Sequence, residues 1–168
     1  MGLKPLSLID LQPLVIGISM LYRVDFSIEA FRLLFDSIYR RVESFALSEG
    51  ESPLDVKIKF ASLLVGDGRY NVIIDLTESG VASHCLYVHN HPTIFVEQIK
   101  VDDPKNNSFA KDCLTYLENI PNITQIGMFS NENKYKAYKK KYGFKVSKVF
   151  MTREVVAPSL DNLDTESS

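Results

Sequence analysis

Apolar positions along the chain change period several times. Leu14 to Leu21 form a nearly continuous apolar run, LVIGISML, with the length of a buried strand. From Ile28 onward, Phe31, Leu34, Phe35, Ile38, Val42 and Phe45 recur every three or four residues, which predicts one amphipathic helix. Asp25 or Ser27 can cap its start, and Gly50 lies just past its end. In SPLDVKIKFASLLVGDG, Ser52 and Asp55 have capping-box spacing, and Pro53 takes the first helical position, where its missing N–H costs nothing. Val56, Ile58 and Phe60 alternate as in a strand, but the start signals favour a second helix.

Three strand-like runs follow: RYNVIIDLT, VASHCLYVH and TIFVEQIKVDD. The short polar turns ESG and NHP between them suit an antiparallel meander over residues 69–102. NSFAKDCLTYLENI places Phe109, Ala110, Cys113, Leu114 and Leu117 on one helical face. ITQIGMF reads as a short buried strand, NENKYKAYKKKYGF as a helix, and FKVSKVFMTREVV as a final strand or hairpin. The expected architecture is one mixed α/β domain over residues 1–156, a central sheet with an antiparallel meander flanked by helices. An acidic polar tail, 157–168, is expected to have no structure of its own.

Composition narrows the function classes. At 168 residues, with 45 % apolar and 24 % charged residues, the chain can bury a core without disulfides or metals. A net charge of -2 argues against general binding to nucleic acid or anionic lipid. Asp10, Gln12 and Pro13 interrupt the apolar N-terminus, and the remaining run is too short to span a bilayer, so no membrane segment is expected. Two cysteines, Cys85 and Cys113, do not make a disulfide framework, which points to a reducing, cytoplasmic compartment. His84, Cys85, His89 and His91 fall within eight residues, but turn and strand-end histidines account for them better than a metal site.

Two stretches carry a specific resemblance. VDDPKNNSFAKDCL and NENKYKAYKKKYGF, in this element order, resemble the GCN5-related N-acetyltransferase (GNAT) superfamily over residues 14–155. In that family a strand runs into Arg/Gln-x-x-Gly-x-Gly/Ala at a helix start, where unpaired amides and the positive dipole end receive a pyrophosphate. Lys105, Ser108 and Ala110 stand at the three signature positions, with serine in place of the central glycine. The resemblance implies an acyl-CoA N-acyltransferase fold and acetyl-CoA as cofactor. It places the cofactor along Ile99 and Val101 and around the loop Lys105, Asn106, Asn107, Ser108, Phe109 and Ala110.

The second stretch resembles the family's Asn-started helix ending in Tyr-x-x-x-Gly-Phe. Gly143 and Phe144 match; Lys139 stands where the tyrosine is expected, with Tyr138 one position earlier. The resemblance implies that Tyr138 reprotonates the departing thiolate and that Glu97, on the strand before the loop, is the general base. The acceptor would be an amine of a small molecule or a protein. Tyr135, Tyr138 and Tyr142 share one helix face, while Lys139, Lys140 and Lys141 crowd the last turn, where cations suit the dipole. The departures at Ser108 and Lys139 keep a second reading open: a non-catalytic member of the same fold, working as a homo-oligomer or within a larger assembly.

Overall fold

In the computed structural model, which describes residues 14–16, 19–102, 108–130 and 132–146, six strands lie side by side in chain order. The chain divides into two compact units, Met1–Ser130 and Asn131–Ser168. The first contains β1 (Leu14–Ile16), β2 (Ser19–Arg23), α1 (Glu29–Leu33), α2 (Phe35–Ser48), α3 (Pro53–Val65), β3 (Tyr70–Thr77), β4 (Gly80–Asn90), β5 (Thr93–Lys100), α4 (Phe109–Glu118) and β6 (Gln125–Met128). The second contains α5 (Glu132–Tyr142). Neighbouring strands are antiparallel through β5, and β5 and β6 are parallel, joined by the α4 crossover.

The sheet is covered on both sides, and strand alternation decides which residue serves which core. Tyr22, Val24, Val72, Ile74 and Leu86 face Phe31, Ile38, Val42, Val56 and Phe60 of the α1–α3 layer. Leu21, Ile73, Cys85, Tyr87, Ile94 and Val96 face Phe109, Cys113 and Leu117 of α4. The first core is sealed by rings: Phe26, Phe35, Tyr39 and Phe60 meet with centroids 4.7 to 5.8 Å apart in the pairs Tyr39–Phe60, Phe26–Phe35, Phe35–Phe60 and Phe35–Tyr39.

The meander and the helix after it are as the pattern predicts. The start of α3 is capped by Ser52, as its spacing to Asp55 predicts: the Asp55 amide donates to Ser52 Oγ at 3.2 Å, and Ser52 Oγ donates to the Asp55 carboxylate at 2.7 Å.

Other expectations are corrected. The apolar run 14–21 is two strands, with Leu14 paired to Leu21 and Ile16 to Ser19. The first helix is two helices divided at Leu34, whose backbone (φ -94°, ψ 0°) leaves the α region. No glycine or proline marks that break, and the apolar spacing runs through it. Neither Asp25 nor Ser27 is the N-cap residue: Asp25 accepts the Ser27 amide at 2.9 Å, and Ile28 takes the N-cap position with no side-chain cap. β6 is half-exposed rather than buried. Residues 144–146 are not a strand, and the remainder of the expected final strand lies outside the described residues, as does the tail.

Candidate active site

The sheet is irregular at one strategic place. In β5, Val96 pairs with Tyr87 and Gln98 with Leu86, so Glu97 is an extra residue without a partner on β4. The bulge puts two consecutive side chains, Glu97 and Gln98, on the α2–α3 side of the sheet. Glu97 reaches Lys59 of α3, and Gln98 reaches His84, whose ring meets Phe45 of α2. The sequence carries a signal for this bulge: apolar alternation runs Ile94, Val96, then slips by one residue to Ile99, Val101.

The bulge coincides with the parting of two strands. β6 pairs with β5 only from Thr93–Gln125 to Val96–Met128. Contact is tight there: a Cβ on Gly127 would sit 3.3 Å from the Phe95 ring, so glycine lets the strands close. Beyond Val96, β5 continues to Lys100 with no β6 partner among the described residues. The edge from Glu97 onward therefore offers backbone donors and acceptors to an extended ligand. The half-buried Ile99 and Val101 turn their side chains toward the α4 core, so their contribution to such a ligand is main chain.

Downstream, Asp102 ends the strand and Ser108 starts α4. Lys105, Asn106 and Asn107 lie outside the described residues. Ser108 is exposed, and its carbonyl accepts the Asp112 amide at 2.8 Å. Phe109 is buried in the α4 core and Ala110 is half-buried.

Glu97 is the centre of the charge arrangement. The Lys59 ammonium is 2.5 Å from Glu97 Oε2 and 2.6 Å from Glu51 Oε2, with only 11 % of the Lys59 side chain exposed. Burial would lower the Lys59 pKa, but the two carboxylates outweigh it and raise it, so the site holds a fixed ammonium. Sequence reasoning missed Lys59. Its signal is a lysine on the apolar face of α3, between Val56 and Leu63.

The second unit holds Tyr138. α5 is continuous from Glu132 to Tyr142, with no bulge to shift Tyr138 toward the position of Lys139. The Tyr138 ring lies 5.5 Å from Tyr142 and 5.8 Å from Phe144. Gly143 (φ 71°) ends the helix in the left-handed conformation, its amide bonded to the Lys139 carbonyl at 3.2 Å. The three tyrosines are half-buried and the three terminal lysines exposed, which fits an ordinary amphipathic helix.

The histidine–cysteine cluster is dispersed by the strand. His84 and Cys85 face opposite sides of the sheet, His89 is half-buried and His91 exposed. Among the described residues no group of three or more potential ligands could hold a metal ion. Cys85 and Cys113 are free thiols, and burial, then Cys85, pushes the Cys113 thiol well up.

No family model and no curated protein sequence matches this chain. Solved structures do. A possible acetyltransferase from Clostridium difficile 630 superposes with a TM-score of 0.57 at 13 % identity, covering 82 % of this chain and 97 % of that one. A predicted acetyltransferase from Clostridium acetobutylicum, solved with acetyl-CoA, gives 0.55 at 18 % identity over 80 % and 94 %. A ribosomal-protein-alanine N-acetyltransferase from Brucella melitensis gives 0.57 at 12 % identity over 80 % and 97 %. The fold is that of the GNAT acetyltransferases. No helix of the described residues is long and apolar enough to cross a membrane.

Proposed function

We propose that this protein transfers an acetyl group from acetyl-CoA to an amine. The observation that carries the reading is the coincidence of three features: the Glu97 bulge, the parting of β5 from β6 after Val96, and the α4 start beyond Asp102. In this reading residues 1–156 work as one domain in the cytoplasm, on an amine of a small molecule or protein.

The thioester arm of acetyl-CoA lies along the free β5 edge at Ile99 and Val101, with its pyrophosphate at Lys105, Asn106, Asn107, Ser108, Phe109 and Ala110. There the α4 amides and dipole supply positive charge. Glu97, anchored by Lys59, takes the proton from the attacking amine, directly or through a water. The amine nitrogen bonds to the carbonyl carbon, the C–S bond breaks, and the thiolate is protonated, a role that the family resemblance gives to Tyr138. The Lys59 ammonium holds the Glu97 side chain in place through their ion pair. Lys59 is thus a positioning residue.

A screen of amines with acetyl-CoA tests the reading. Glu97→Gln and Tyr138→Phe are each expected to lower kcat by roughly 10²–10⁴-fold, the usual worth of general acid–base catalysis, while both still bind acetyl-CoA. Serine at position 108 and lysine at 139 favour a second reading, a binding component of an assembly. Acetyl-CoA binding without turnover on any amine would select it. Absence of acetyl-CoA binding would overturn the cofactor assignment itself.

A further inference from the structure

A groove of about 470 Å³ opens on the helix side of the sheet, between α2 and the ends of β4 and β5. Arg40, Arg41, Ser44, His84, Lys100 and Asp102 are among the residues that line it. Asp102 is committed to Arg41, at 2.5 Å. Arg41 also donates to the Ala82 carbonyl at 2.6 Å, a group that a second bulge, between Val81 and Ser83, takes out of the β3–β4 ladder. Arg40 and Lys100 make no ion pair among the described residues, so a protein of net charge -2 concentrates unneutralised positive charge here.

Two of the lining residues also hold buried polar atoms without a protein partner among the described residues: Arg41 Nε, a donor, and His84 Nδ1. The second is an acceptor. His84 Nε2 lies 3.0 Å from the Gln98 carbonyl oxygen, so Nε2 carries the proton and Nδ1 the lone pair. Buried groups left unpaired are rare because each costs stability, so a fixed donor and a fixed acceptor flanked by two free cations define the complement of a ligand. A carboxylate answers the cations and Arg41 but brings no donor for His84. A hydrogen phosphate brings acceptor oxygens and a hydroxyl on one atom centre.

We propose that this groove binds a hydrogen phosphate, either the free ion or a phosphomonoester, with its oxygens on Arg40, Arg41 Nε and Lys100 and its P–O–H directed to His84 Nδ1. The groove uses side chains on the α2 face of the sheet, Lys100 of β5 among them, rather than the main-chain edge of β5, and phosphate binding there does not depend on acetyl transfer.

Calorimetric titration of the full chain at about pH 5.5, where a phosphate monoester with a second pKa of about 6 keeps its hydroxyl, with inorganic phosphate, methyl phosphate and sulfate tests it. Phosphate is expected to bind at millimolar concentration, and sulfate, which has no hydroxyl at that pH, more weakly. Tighter binding of methyl phosphate assigns the site to a monoester; tighter binding of inorganic phosphate assigns it to the free ion. Arg40 and Lys100 are exposed, so the double variant Arg40→Gln, Lys100→Gln should fold normally yet weaken phosphate at least about tenfold, given the strength of charge-assisted hydrogen bonds. Phosphate should still bind when coenzyme A is saturating. Absence of binding, undiminished affinity in the double variant, equal affinity for sulfate, or displacement by coenzyme A would each overturn the proposal.

Discussion

Burial holds the His84 imidazole neutral, pushing its pKa from 6.5 down to about 4. On unfolding the ring returns to 6.5, so between these values the unfolded chain binds more protons and stability rises with pH. The contribution is whole above pH 6.5 and is lost on acidification toward pH 4, by up to about 3 kcal/mol at about 1.36 kcal/mol per unit. Urea midpoints measured across that window should fall less steeply for His84→Gln than for the parent; parallel curves would mean an imidazole that titrates normally. Lys59 behaves differently because its partners are charged. Lys59→Met leaves Glu51 and Glu97 partly buried with no cation between them, and should cost about 1–3 kcal/mol, less than a fully buried pair because both carboxylates keep some water. Adding Glu97→Gln should recover part of that loss, read as a coupling in a double-mutant cycle. At this scale the sequence is least legible. A lysine on an apolar helix face and a histidine in a strand announce nothing until the topology sets Glu51, Glu97 and Gln98 beside them.

Elements whose limits are set by local chemistry were legible. Ser52, Pro53 and Asp55 start α3 through atoms within four residues of one another, and Gly143 ends α5 through its own backbone. Elements divided by tertiary packing were not. The apolar spacing passes unbroken through Leu34 and through residues 14–21, so neither the α1–α2 break nor the β1–β2 pair shows in the pattern. The β5 bulge lies between these cases, visible as a one-residue slip between Val96 and Ile99. That slip allows a test. Deleting Glu97 leaves Val96 on the α4 side and Gln98 on the α2 side in regular alternation, paired with Tyr87 and Leu86 as before. The deletion variant should therefore fold cooperatively, losing only the Lys59 contact, while acetyl transfer disappears. Failure to fold, seen by circular dichroism, would mean that the bulge serves the sheet rather than the chemistry.

At the scale of the molecule, the order of strand, helices, meander, helix, strand and helix was legible because each antiparallel step is a short turn between apolar runs. The place where β5 and β6 part was not, since it depends on Gly127 meeting Phe95 across chain distance. Ligand binding at that opening must act on the whole fold, because anything bound only by the native state stabilises it by mass action. Acetyl-CoA at about a hundred times its dissociation constant should add about 2.7 kcal/mol. For a chain of this size that raises Tm by roughly 5–10 °C. Ser108→Glu is expected to separate cofactor binding from folding. An exposed carboxylate at a helix start is favoured by the dipole, so the ligand-free Tm should barely move. The same carboxylate would meet the cofactor's pyrophosphate in a partly desolvated loop, and like-charge repulsion should abolish the acetyl-CoA shift. An undiminished shift in Ser108→Glu would move the pyrophosphate away from the start of α4, and with it the cofactor path assigned to this face of the molecule.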